Sequence, residues 1–175
     1  MSTKQSAAVI NLDVYEDAVN FLGVAKVTLP DIIFPTISIV GAGMMGNMDV
    51  PLLGMVDAMS TSIDFLDANN AGSAVRLTEP RKHLLDMRVA LESWDVEEAE
   101  VGHWADKYVM ICHPKGFKPG TFTPMAAPSV TNEFAVYYFA GYRNGAQLWE
   151  IDKRNMKCVI NGKDYMADVR KALGK

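Results

Sequence analysis

The chain has 175 residues, enough for one domain with a substantial core. Its 49% hydrophobic and 22% charged residues are the balance of an ordinary folded globular protein. A net charge of −4 argues against a surface built to coat nucleic acid, and no run approaches the ~20 apolar residues of a membrane span.

In chain order, the first residues lack the charged-then-apolar layout of a secretion signal. Val9 to Tyr15 alternates, with Ile10, Leu12 and Val14 on one side, and reads as a strand with one apolar face. Glu16 to Asn20 reads as a turn and Phe21 to Leu29 as the partner strand, closed by Pro30-Asp31, after which Ile32 to Ile39 stays extended. Ile37-Ser-Ile-Val-Gly41-Ala-Gly43-Met-Met-Gly46 then presents a β-branched run leading into Gly-x-Gly-x-x-Gly, with Asp64 and Asp67 roughly 20 positions on. A dinucleotide site would need a helix to open at these glycines, and Pro51 and Gly54 fall inside any such helix. The glycines instead suit a tight turn or close packing against another chain. Asn47 to Ser60 has no clean period and reads as an irregular excursion, part of an extended loop at about 41–60. Its Met48, Val50, Leu52, Leu53, Met55 and Val56 leave apolar surface that something must cover.

Met59 to Phe65 reads as a strand and Asp67 to Leu77 as the place of a short helix. His83 to Trp94 alternates over Leu85, Met87, Val89 and Leu91, which favours a strand over a helix. Val96 to Val101 is an acidic turn, and Trp104 to Ile111 the returning strand. A Pro/Gly loop follows at about 114–130, with three prolines between Lys115 and Pro128. Glu133 to Arg143, Asn144-Gly145, and Ala146 to Asp152 form a hairpin with the strongest two-residue turn signal. Asn161-Gly162 makes a second, between Met156 to Ile160 and Lys163 to Met166. Met166 to Leu173 closes the chain as a short helix with Met166, Val169 and Leu173 on one side, stopped by Gly174. In Phe134 to Tyr142 both faces are apolar or aromatic, so both need cover: a second subunit, or a second layer within the chain.

Little in the sequence points to catalysis. His83, His103 and His113 lack helical i, i+4 partners, and adjacent Cys112 and His113 point to opposite faces of a strand. The cluster Asp95, Glu97, Glu98 and Glu100 reads as a solvated turn, and Arg81, Lys82 and Arg88 are too sparse to track phosphates. Two cysteines are too few for a disulfide framework, which fits a cytosolic origin. The eleven methionines suit flexible core filling or a self-association surface. No catalytic, cofactor or metal site is expected.

Leu22-Gly-Val-Ala-Lys-Val-Thr-Leu-Pro30-Asp, Gly41 to Pro51, and the closing stretch Glu150 to Gly174 together resemble the major tail tube proteins of contractile-tailed phages. The same family occurs in phage-tail-like bacteriocins and is related in architecture to type VI secretion tube proteins. The resemblance implies a single, mainly β (α+β) domain: an antiparallel β-sandwich or half-barrel with a flanking short helix and a short C-terminal helix. It implies hexameric rings with a shared inner β-barrel, stacked into a tube inside a contractile sheath, and no enzymatic activity. The implied partners are other copies of the chain, the sheath, the tape-measure protein, the baseplate and the tail terminator, with DNA or ions as transiting cargo. The setting is a virion tail or tail-like particle assembled in the bacterial cytoplasm. Probable subunit-interface residues are Gly41, Gly43, Met44, Met45, Gly46, Met48, Leu52 and Leu53 in the excursion, and Phe134, Val136 and Tyr138 in the hairpin, whose strand edges would bond to a neighbour. Two other readings remain: a small nucleotide-binding oxidoreductase using Gly41 to Gly46, and a monomeric β-sandwich binding module.

Overall fold

The alternating residues at the start of the chain form a strand longer than their pattern, β1 (Lys4–Glu16), hairpinned to β2 (Asn20–Thr28). The structure, a computed structural model, describes residues 4–41, 45–65, 71–95, 100–120 and 130–174. The chain continues through a small ribbon, β3 (Thr36–Ile39) and β4 (Met48–Pro51), then β5 (Met59–Phe65) and helix α1 (Ala71–Arg76). Long strands β6 (His83–Asp95), β7 (Val101–Lys118) and β8 (Val130–Arg143) follow. The chain ends with β9 (Ala146–Asp152), β10 (Lys157–Ile160), β11 (Lys163–Asp164) and helix α2 (Ala167–Ala172).

The main sheet runs β11-β10-β9-β8-β5-β2-β1-β6-β7, and β7 also pairs with β8, so the sheet closes on itself. All its pairings are antiparallel. Closure depends on strands that change partners along their length. The first half of β8 (130–136) pairs with β5, and the second half (138–143) with β9. On its other side β7 pairs throughout, but Ile111 faces Tyr138 and Cys112 faces Val136, which leaves Tyr137 as an extra residue. This bulge turns the strand from one sheet into the other.

The bulge also answers the question of the two apolar faces. One added residue reverses the alternation, so Phe134 and Val136 before it and Phe139 after it all turn inward, 0%, 2% and 2% exposed. The core gathers Val14, Leu22, Ile63, Phe65, Leu85, Met87, Met110 and Ile151 around them. Each such side chain stabilises the fold by roughly 1.5–3 kcal/mol on full burial. The second layer lies within the chain, and no neighbour is needed to cover this strand.

The turns form as the Asn-Gly pairs dictate: Asn144 and Gly145 have φ of 47° and 82°, Asn161 and Gly162 have 49° and 77°. The short helix of the 67–77 stretch covers one end of the barrel, burying Ala74 and Leu77, and Asn132 donates to the Ala74 carbonyl at 2.9 Å. Two expectations need correction. A strand, β4, forms inside the excursion read as irregular. β7 runs on through Pro114 to Lys118, so the Pro/Gly loop begins later, and its 121–129 portion lies outside the described residues, as does 96–99 of the acidic turn. In α2, Met166 is buried but Val169 and Leu173 are 42% and 57% exposed, so the apolar side of that helix is uncovered in the single chain.

Candidate assembly surface

The glycine stretch falls between β3 and β4, which pair as a two-stranded ribbon with Ile39 opposite Met48 and Thr36 opposite Pro51. The residues after Gly46 enter a strand and not a helix, so there is no helix terminus here to hold a pyrophosphate. The nucleotide reading loses its structural basis. Gly46 takes φ of 114°, a conformation that favours glycine.

This ribbon is an arm. It is rooted by Leu52 N–H on the Pro35 carbonyl (2.8 Å) and Asp57 N–H on the Ile33 carbonyl (2.9 Å), with Ile32, Phe34 and Val56 packed against the core. Buried Gly54, at φ of 93°, sits so close to Met166 that an added Cβ would meet its Sδ at 2.8 Å. Beyond the root the apolar side chains face solvent: Ile37, Ile39, Val40, Met45, Met48 and Leu53 are 38–109% exposed. Gly41 is exposed and Leu52 half-buried, while Gly43 and Met44 lie outside the described residues. An isolated two-stranded ribbon is marginal in water, and an apolar one asks for a partner.

The hairpin residues sit differently. Phe134 and Val136 belong to the chain's own core, and Tyr138 is half-buried, its hydroxyl 3.4 Å from Glu150 Oε1. Burial, with the Glu150 charge beside it, pushes that phenol well above its ordinary range. The edges of β8 are taken on both sides, by β5 and then β9 on one, by β7 on the other. The expectation that this hairpin offers backbone edges to a neighbour is overturned. A strand that bends between two sheets spends both edges in closing the barrel.

Open edges lie elsewhere. β7 pairs with β6 only as far as Cys112, so residues 113–118 bond to β8 alone among the described residues. β2 pairs with β1 only from residues 20 to 24, so residues 25–28 bond to β5 alone among the described residues. These two segments flank a four-stranded sheet, β2-β5-β8-β7, with an open edge on each side. Pro114 marks one of them in the sequence, since a sheet accepts proline at an edge. The outward face carries Thr28, Ser60, Ser62, Thr131 and Ala135, with Lys26 paired across from Asp64 and Lys118 bonded to Glu133. Asp64 and Glu133 offset Lys26 and Lys118 there, and the Lys115 charge also acts on Glu133.

The buried titratable groups are structural. Glu16, 0% exposed, meets Arg76 Nε at 3.0 Å, Arg81 Nη2 at 2.5 Å and His83 Nδ1 at 2.7 Å, tying β1, the turn after α1 and β6 together. Burial opposes its charge, but the His83 and Arg81 hydrogen bonds and the Arg81 and Arg76 charges outweigh it and hold the carboxyl below the ordinary range. Asp106 is lowered chiefly by its hydrogen bonds to Arg143, at 2.7 and 2.8 Å. Burial pushes the Cys112 thiol up to about 12, so it is no nucleophile at neutral pH. Among the described residues no group of three or more His, Cys, Asp or Glu is placed to hold a metal.

The model of the family "Phage tail tube protein FII" matches residues 6–174. No curated protein matches the chain. Among solved structures, a chain of the PVC sheath–tube complex of an extracellular contractile injection system, in its extended state, aligns with TM-score 0.53 at 11% identity, over 77% of this chain and 90% of that one. At that identity the likeness is one of fold. With a family match over nearly its whole length and a closed antiparallel barrel of the same fold, the chain belongs to the phage tail tube protein FII family and is a structural subunit of a contractile-tail tube.

Proposed function

We propose that copies of this chain join side by side into hexameric rings, with the four-stranded sheet β2-β5-β8-β7 forming one sector of a barrel around a lumen. The carrying observation is that this sheet has an open edge on each flank, 25–28 and 113–118. Exposed edges are a liability that closed barrels abolish. Three antiparallel steps separate β2 from β7, so the two edge strands run in opposite directions. A β7 edge meeting the β2 edge of the next copy therefore continues the antiparallel pattern, and a contact between different surfaces closes into a ring.

The sheet's small, hydroxylated outer face then lines the lumen, where Asp64 and Glu133 offset most of its lysine charge and leave no continuous cationic track to hold a nucleic acid backbone. Rings stack into the inner tube, which a contracting sheath drives through a target envelope while DNA or ions pass through it. The sheath encloses this tube, the tape-measure protein occupies its lumen before discharge, and baseplate and terminator bound its ends. The arm, with Gly41, Gly43, Met44, Met45, Gly46, Met48, Leu52 and Leu53, packs against another copy; its exposed aliphatic side chains, each worth roughly 1.5–3 kcal/mol when fully buried, supply several kcal/mol of that contact.

A proline scan tests the ring. Along residues 26–28 and 116–118, alternate amides bond inward to β5 or β8 and outward to the open edge. Proline at inward positions should lower the melting temperature of the isolated subunit. At outward positions it should spare folding and abolish rings in negative-stain images. Rings surviving every well-folded edge proline would refute the assignment.

A further inference from the structure

The arm has a counterpart at the far end of the molecule. On the outer face of β1, β6 and β7, Ala90 lies directly across from Ala105. This pair of short side chains sits between longer ones: Arg88 opposite Lys107 on one side, Glu92 opposite His103 on the other. The result is a concavity of about 750 Å³, overhung by the β8–β9 turn at Asn144 and Gly145. Asn144 clamps that turn to the rim, accepting from Ala105 N–H at 3.0 Å and donating its own N–H to the Ala105 carbonyl at 2.8 Å.

The arm root lies at the opposite end of β9, where Lys153 Nζ bonds the Asp57 carbonyl. The seven residues of β9 therefore separate root from concavity, roughly 24 Å at about 3.4 Å per residue. A projection at one end and a hollow at the other make a head-to-tail contact that repeats without limit.

Resting on the reading of rings above, we propose that the arm tip of one copy seats in the Ala90–Ala105 concavity of a second copy in the next ring. Charge supports the match. Between Ile32 and Val56 the arm carries one ionised residue, Asp49. At the hollow, Arg88 Nη2 (3.3 Å) and Lys107 Nζ (3.1 Å) converge on a single oxygen, Asp86 Oδ2. Two carboxylates line the hollow itself: Asp13 accepts from Asn11 Nδ2 at 3.2 Å, and Asp106 is neutralised by Arg143 at 2.7 and 2.8 Å. Arg88 Nη2 also reaches the Ala18 carbonyl at 3.4 Å, so Asp49 would give Lys107 its second acceptor, while Val40 and Met45 fill the apolar floor.

Paired cysteines test the seat. Both native cysteines are buried, so Met45→Cys and Ala105→Cys introduce the reactive thiols. Tubes of the double variant, mildly oxidised, should give a ladder of covalent multimers on a non-reducing gel, and neither single variant should. Ala105→Trp, which fills the hollow at an exposed site, should leave single rings that do not stack. Tubes whose double variant stays monomeric on oxidation, or full-length tubes from Ala105→Trp, would overturn the seat and leave the rings standing. Unmodified protein that forms no rings would overturn the ring reading, and the seat with it.

Discussion

Glu16 shows how a single buried charge can be an asset. Its carboxylate is held by three basic side chains, and its folded-state pKa lies below the unfolded value of about 4.5. The stability that this contributes is fully present above the unfolded value and is lost as pH falls through the lower folded one. Glu16→Gln keeps the shape and removes the charge. Hydrogen bonds to charged groups are worth about 2 kcal/mol, so the variant should melt roughly 4–8 °C lower at neutral pH. Below about pH 4 the gap should narrow; a constant gap down to pH 3 would show that the charge is not what matters. A second test is Gly141, which packs directly under Trp149, where an added Cβ would lie 2.6 Å from Cε2 of the indole. That ring is itself fixed between Tyr108 and Phe139, at 6.0 and 5.5 Å. Gly141→Ala should cost about 1–3 kcal/mol through overpacking, read as a lowered urea midpoint with an unchanged slope.

Among the elements, β8 best separates what local sequence dictates from what it does not. The Asn144-Gly145 and Asn161-Gly162 turns were legible because a left-handed pair of residues is a local requirement that few residues meet. The alternation of β1 and β6 was legible for the same reason, since one face meets the core. The bulge at Tyr137 was not, because nothing in residues 134–142 says that the strand must change partners midway. Reading the segment as one regular strand put Phe134 and Phe139 on opposite faces and invited a neighbour to cover the second. Barrel closure depends on pairings between strands far apart in sequence, and that also hid the open edges; only Pro114 hinted at one. The arm was half legible: its uncovered apolar residues stood out, but the short β3–β4 pairing did not. Deleting Tyr137 should force the second half of β8 into the first half's register, turning Phe139 outward. The deletion variant should lose its cooperative thermal transition, whereas Tyr137→Ser, which keeps the extra residue, should melt within a few degrees of the parent.

For the whole molecule, assembly divides between two surfaces with separate tasks. Backbone edges set the ring, and the arm joins copies beyond it. Met48→Asp with Leu53→Asp should therefore block long tubes while leaving the β-type circular dichroism spectrum intact, because both side chains are exposed in the single chain, at 48% and 62%. Tubes of ordinary length from that variant would remove the arm from the account. The ring itself is tested most directly by amide hydrogen exchange, comparing assembled tubes with dissociated subunits by mass spectrometry. In peptides covering 25–28 and 113–118 the outward-facing amides should exchange quickly in the subunit and become protected in the tube, while peptides from β8 are protected in both. Tubes in which 25–28 and 113–118 exchange as fast as in the free subunit would contradict edge-to-edge closure.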